Sequence, residues 1–225
     1  MSVTMLDCAH RATMVAGRDS TNRYSSGTLH CRKSGSWHLT RKGPFLIEPT
    51  AEIEFLRKLR SVRRFTDEPV PRQVMDDLLL VAQWSGSARN LQPWAFVVVQ
   101  DREQLQALSG LEGYVSHLAE AALAIVLVMD GHPEMVQQET FDEGVLSQRL
   151  QLAAQAHRLG SCIGWFHGEG RGAAKELLGI PQDRLVRTAM SFGYEAVGAD
   201  GARFHPPLAR KPLSELVHYG RFVQK

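Results

Sequence analysis

Ser85-Gly86-Ser87-Ala88-Arg89-Asn90-Leu91-Gln92-Pro93-Trp94 is the stretch on which the reading of this chain turns. Before it, Pro71 sits well as a first-turn proline, and Val74, Met75, Leu78, Val81 and Ala82 recur at helical spacing. After it, Ala95 to Val99 reads as a short strand. The loop between them offers many backbone N–H groups and small side chains. Asn90 and Gln92 can each donate and accept. A flat heterocycle with mixed donors and acceptors needs such a loop, and Pro93 and Trp94 would stiffen its exit. The competing reading is an ordinary polar connection.

Upstream, residues 50–59 read as a helix with Ile53, Phe55, Leu56 and Leu59 available for burial. It ends in Arg60-Ser61-Val62-Arg63-Arg64-Phe65, a dense set of anion donors. Arginine holds phosphate through two parallel hydrogen bonds, and serine adds a donor without bulk. The alternative is a solvated helix end, where arginine suits the dipole. Downstream, Asp101 can cap a helix to Leu108, and Ala122 to Met129 reads as a central strand. Thr140 to Leu159 is a long helix whose apolar face draws on Val145, Leu146, Leu150, Ala153, Ala154 and Ala156, with Gly160 as its C-terminal cap. A strand at Cys162 to Phe166, a helix at Ala173 to Leu178 closed by Gly179-Ile180-Pro181, and a strand at Leu185 to Tyr194 follow. A loop with Pro206 and Pro207 leads to a helix from Leu213 to Tyr219. Arg210-Lys211-Pro212, just before it, could join a phosphate site or form a solvated turn. This order predicts a sheet covered by helices.

The chain has 225 residues, 44% of them hydrophobic, which suits one domain with a sizeable core. Residues 1–44 carry seven Lys or Arg against two acids, a net of +5, which leaves −3 for the rest of a chain of net +2. Rich in Ser, Thr, Gly and Arg, they read as a flexible basic N-terminal tail ending at Gly43-Pro44, with the folded domain over 45–225. An organelle-targeting segment is a second reading of the same composition. Cys8, His10, Cys31 and His38 match no ordinary zinc spacing, so no metal is expected. Three cysteines in no framework suggest a reducing, cytoplasmic setting. The longest apolar run, Ala121 to Met129, is nine residues, against roughly 20 for a membrane span. No signal peptide, membrane association or nucleic-acid partner is expected.

Three patterns are weighed and set aside. Gly168-Glu169-Gly170-Arg171-Gly172-Ala173 fits a dinucleotide fingerprint, but its helix is short and no acid follows at the expected offset. Ala189-Met190-Ser191-Phe192-Gly193 falls one residue short of a nucleophile elbow, and Asp200 and His205 make no convincing triad. His157 reads as a surface or interface residue and Cys162 as a small core residue.

Taken in order, the segments resemble the nitroreductase family of FMN enzymes, from about Leu56 to Phe222. The resemblance rests on Arg60 to Pro71, Ser87-x2-Asn90-x-Gln92-Pro93-Trp94, Asp142-x-Gly144, Gly160-Ser161-Cys162, Gly179-Ile180-Pro181 and Arg210-Lys211-Pro212-Leu213. It implies an α+β fold, a mixed sheet flanked by helices in three layers, and an interlocked homodimer with FMN at each interface. Arg60, Ser61 and Arg63 would hold the phosphate, ribityl chain and pyrimidine side. Gly86, Ser87, Asn90 and Gln92 would bind FMN, with Gly86, Ser87 and Asn90 reaching it from the partner. The backbone at Gly164 and Trp165 would lie against the ring, and Arg210 or Lys211 would return to the phosphate. Leu59 stands where many relatives carry another arginine, and Trp165-Phe166-His167-Gly168 lacks the acid some relatives carry beside the flavin.

The implied activity takes hydride from NADH or NADPH and reduces a small nitroaromatic, quinone or enone by a ping-pong mechanism. The flavin carries the hydride and no protein group is catalytic, although Arg63 would stabilise the anionic reduced ring. Dehalogenation, dehydrogenation or flavin fragmentation by a specialised relative is the alternative, as is a flavin-binding protein without turnover.

Overall fold

Ala121 to Met129 decides the architecture, because a strand buried on both faces must be covered twice. The computed structural model describes residues 50–198 and 210–224, together with the backbone of 13–16, 25–31 and 37–40. The chain divides into two compact units, Met1–Glu52 and Ile53–Lys225.

The first unit holds three strands, β1 (Thr13–Ala16), β2 (Ser25–Cys31) and β3 (Trp37–Thr40), paired antiparallel in that order. They fall within the stretch whose composition reads as a flexible tail. Thr, Val, Leu and Trp inside these short runs favour extended backbone, a local signal that composition averages away. The unit boundary at residue 52 also lies beyond Gly43-Pro44. The side chains of Cys8, His10, Cys31 and His38, the Gly43-Pro44 junction, and Asp200, His205, Pro206 and Pro207 lie outside the described residues.

Helix α1 (Ala51–Lys58) begins just before the boundary, and the second unit continues with α2 (Arg72–Gln83), β4 (Trp94–Val99), α3 (Arg102–Ser109), β5 (Leu123–Met129), α4 (Val136–Ala156), β6 (Gly160–Trp165), α5 (Gly170–Leu178), β7 (Leu185–Gly193) and α6 (Leu213–Leu216). The sheet order is β4-β5-β7-β6, antiparallel between neighbours. The mixed character expected of the sheet is confined to a single parallel bridge, Ser61 to Ser161, on the free side of β6.

All seven residues of β5 are buried. Alternation sends Leu123, Ile125 and Leu127 into one core with Leu78 and Ala82 of α2 and Leu146 and Leu150 of α4. Ala124, Val126 and Val128 enter a second core with Leu105 and Leu108 of α3 and Ala174 of α5. The result is the three-layer arrangement. A register shift between Val126 and Val128 lets Val186 and Ala189 of β7 face the same core despite opposite parity.

Two helix ends show how far local chemistry decides them. The Asp101 side chain accepts from the Gln104 N–H at 2.9 Å, capping α3 as expected. Gly160, expected to cap α4, is instead the first residue of β6. The left-handed turn falls on Arg158, at φ 60°, where Leu159 N–H reaches the Ala154 carbonyl at 2.9 Å and Arg158 N–H reaches Gln155 at 3.0 Å. This is a Schellman closure with arginine in the position glycine usually takes.

The buried face of α4 departs from the apolar stripe read from its sequence. Leu146, Leu150, Ala153 and Ala154 are buried as expected, but Ala156 is exposed, and Glu139, Asp142, Glu143, Ser147 and Gln151 are buried beside them. Each acid has a named donor. Glu139 accepts from the amides of Gly131 and His132 at 2.8 and 3.1 Å, and Asp142 from the Ala88 amide at 3.1 Å. Glu143 pairs with Nε (3.0 Å) and Nη2 of Arg187 on β7. Removing one partner of such a pair strands a buried charge, so Glu143→Ala should cost about 3 kcal/mol in urea denaturation. Replacing both members by leucine should recover much of that loss, whereas equal losses for single and double variants would mean that the pair does not hold α4 to β7.

Candidate functional site

The segment after α1 is fixed by the sheet it borders. Val62 N–H donates to the Ser161 carbonyl at 2.9 Å, and Thr66 N–H donates to the Tyr194 carbonyl at 2.8 Å. Val62 and Phe65 are buried with Ala121, while Ser61 before them and Arg63 and Arg64 between them are exposed. The approach is close because Gly160 and Gly193 have no side chains: a Cβ on Gly160 would meet Val62 at 2.7 Å, and one on Gly193 would meet Phe65 at 2.9 Å. Beside this segment lies a cavity of ≈ 360 Å³ lined by Lys58, Arg60, Arg158, Gly160, Ser161 and Glu195, among others. Glu195 is already partnered. Lys58, Arg60 and Arg158 make the lining cationic, which fits an anion, and Ser161 Oγ is buried nearby without a hydrogen-bond partner.

Arg63 points its influence further along β6. Its charge acts on both His117 and Cys162. Burial pushes the Cys162 thiol up, with Arg63 and Ser61 opposing, which leaves it a protonated core residue as expected. His117 is 7% exposed, and its Nδ1 lies 2.7 Å from Ser191 Oγ. This Ser–His pair belongs to the near-elbow pattern around Ser191, and complete burial of Ser191 closes it to any substrate. The Nε2 of His117 backs onto Gly164: a Cβ there would meet Nε2 at 2.5 Å and the Tyr114 carbonyl at 2.7 Å. The buried Gly164 thus lets the strand pass close against the imidazole, and Trp165 beside it is 60% exposed.

The loop at 85–94 is built on α4. Arg89, Asn90 and Gln92 all adopt left-handed φ, between 52° and 56°. For residues other than glycine this costs roughly 1–2 kcal/mol each, and less for asparagine. The conformation is held by Ser87 Oγ accepting from Gln92 N–H at 2.9 Å and by the Asp142 contact to Ala88. Gly86, Ser87 and Ala88 line a second cavity of ≈ 560 Å³ with Gln137, Phe141 and Val145 of α4. Backbone strain over a cavity is a mark of a binding loop.

The candidate residues thus form two groups within one chain. Arg60, Ser61, Arg63, Gly164 and Trp165 gather along β6. Gly86, Ser87, Asn90 and Gln92 gather over the N-terminal half of α4. Asp142 touches the second group and Gln155 lines the cavity of the first, 13 residues later. At 1.5 Å per residue the two are about 20 Å apart along the helix. Arg210 and Lys211 are exposed ahead of α6 and line neither cavity. Lys58 and Arg158 join the site without having been singled out from sequence, and Ser161 and Asp142 stood in sequence motifs without a role. Their signal was present only as isolated polar residues next to apolar runs.

The fingerprint at 168–173 has another explanation. Glu112 Oε2 accepts from the Glu169 N–H at 2.9 Å, and its Oε1 lies 3.0 Å from His167 Nδ1. A Cβ on Gly170 would strike the Glu112 carbonyl at 2.0 Å, so the glycine makes room for this residue. The start of α5 already holds a carboxylate of its own chain. His157 faces Asp77 at 3.1 Å on the surface, as expected.

Comparison with known proteins points to one family. The model of the nitroreductase family matches residues 56–142. An NADH dehydrogenase of Thermus thermophilus is 35% identical over 207 residues, 77% of this chain and 96% of its own length. An oxygen-insensitive NADPH nitroreductase of Salmonella typhimurium is 29% identical, covering 78% of this chain and 75% of its own. Among solved structures, an FMN-dependent nitroreductase from Clostridium difficile superposes with TM-score 0.62 at 28% identity, over 76% of this chain and 99% of that one.

The buried imidazole gives a pH prediction. Burial first, then the charge of Arg63, lowers the His117 pKa from 6.5 to about 4, with only the Tyr114 carbonyl opposing. The unfolded chain binds a proton that the folded chain refuses. Stability is therefore full above pH 6.5 and falls as the pH drops toward 4, by up to about 3 kcal/mol. Denaturant titrations from pH 7 to 4 should show this loss in the native chain and a shallower one in His117→Asn. Parallel curves for the two proteins would contradict it.

Proposed function

This chain belongs to the nitroreductase family, and from that premise we infer that it works as an FMN-dependent NAD(P)H oxidoreductase. FMN supplies the means to take a hydride from NADH or NADPH and pass it to a small organic acceptor. The observation that carries the reading is one segment that sets Arg60 at a cationic cavity with Ser161 and brings the charge of Arg63 to bear on Cys162 of the same strand and on His117.

The residues fit the group. Arg60 and Ser61 would hold the phosphate end and the ribityl chain. Arg63 would stand beside the pyrimidine, where its charge favours the reduced, anionic ring. Gly164 and Trp165 present backbone to the ring plane, and the neutral His117 behind Gly164 adds no competing charge. The strained loop of Gly86, Ser87, Asn90 and Gln92 supplies amides for the remaining edge. Arg210 and Lys211 would complete the phosphate site. Their position outside the cavity of their own chain fits a role across an interface.

The working unit is proposed to be a homodimer. The two residue groups, about 20 Å apart along α4, cannot close on one ring within one copy, but a second copy can bring its loop to the first copy's β6. Exposed Trp84, Phe141, Leu213, Tyr219 and Phe222 offer the apolar surface for this contact. The acceptor class is a nitroaromatic, quinone or enone, taken up after the oxidised nicotinamide has left. No described helix is long and apolar enough to cross a membrane. A cytoplasmic setting belongs to the same reading, supported by the unpaired, buried Cys162.

Anaerobic titration with NADH and then NADPH should bleach the flavin absorbance, and a quinone or nitroaromatic should restore it. Arg63→Ala should slow the bleaching by about 10²-fold while the protein stays folded. An FMN-loaded protein that neither nicotinamide reduces would overturn the reductase reading.

A further inference from the structure

Arg158 is a cation in a backbone position that disfavours it. It closes α4 at φ 60°, where a β-carbon is strained and glycine is free. Glycine would serve the closure better, so the side chain needs another reason to be there. Its surroundings supply one. Arg158 lines the ≈ 360 Å³ cavity together with Lys58, Arg60 and Ser161. Ser161, another lining residue, is 2% exposed, and its buried hydroxyl has no hydrogen-bond partner. An unpaired buried hydroxyl normally finds a partner. Among the lining residues, Glu195 is the acid, and it is already engaged.

We propose that Arg158 and the Ser161 hydroxyl are ligands for a phosphate monoester, and that this phosphate is that of FMN. The inference rests on the FMN reading above and extends it to two residues. Backbone strain at Arg158 is retained because a guanidinium at this point reaches the same anion as Arg60.

The test sets stability against binding. Arg158→Gly removes the cation and the strain together. The flavin-free variant should melt at a temperature at least equal to that of the native chain. Its dissociation constant for FMN, read by quenching of flavin fluorescence, should rise about tenfold. The dissociation constant for riboflavin, which lacks the phosphate, should change less than about twofold by the same reasoning. Arg158→Lys should recover part of the FMN affinity without a gain in melting temperature. Ser161→Ala should weaken FMN, and again not riboflavin. If the native chain binds no FMN, the underlying reading fails. If it prefers FMN to riboflavin and Arg158→Gly preserves that preference, the proposal fails and the reading stands. Unchanged FMN affinity with a lost preference for NADPH over NADH would assign the cavity to the nucleotide's 2′-phosphate and also overturn the proposal.

Discussion

The hydrogen bond from Val62 N–H to the Ser161 carbonyl is the constraint on which the rest of the site depends. It ties the segment after α1 to the free side of β6 and fixes which side chains turn outward. Gly160 makes the contact possible, since any β-carbon there would collide with Val62. With Val62 and Phe65 buried, Arg60, Ser61 and Arg63 have no freedom to face elsewhere.

The second constraint is the length of α4. This 21-residue helix acts as a ruler between the cavity at Arg158 and the loop at Ser87. Its buried carboxylates show how the ruler is held: Glu139 and Asp142 bind loop amides, and Glu143 binds Arg187. Each stabilises backbone that would otherwise be free to move. Geometry set at both ends of a rigid helix cannot relax to bring the two groups together, and that is the physical case for completing the site from a second copy.

Much of this was legible in the sequence where local chemistry decides structure. The strands and helices of residues 72–193 follow hydrophobic spacing, whereas α1 buries none of the residues its spacing offered; the Asp101 cap and the turn at Gly179 sit where their residue types predict. Arg60, Ser61 and Arg63 were legible as a dense set of donors. What stayed hidden depends on contacts distant in sequence. Nothing near Arg158 announces that it will take a left-handed turn beside a cavity. The acids of α4 look like a solvated face until Ala88 and Arg187 are packed against them. The glycines at 168–172 imitate a nucleotide motif, because room for Glu112 requires the same residue as room for a phosphate.

The claim that FMN is held between two copies is tested most directly by mixing two defective chains. Arg60→Ala/Arg63→Ala removes one group, and Gly86→Trp blocks the other at a position where a side chain meets nothing within 4 Å in its own chain. Each variant alone should fail to bind FMN. After unfolding and refolding together in equal amounts, random pairing should restore roughly one site in four, read as tightly bound flavin. A mixture that binds no more FMN than its components would contradict a shared site and place both groups on a flavin held by a single chain.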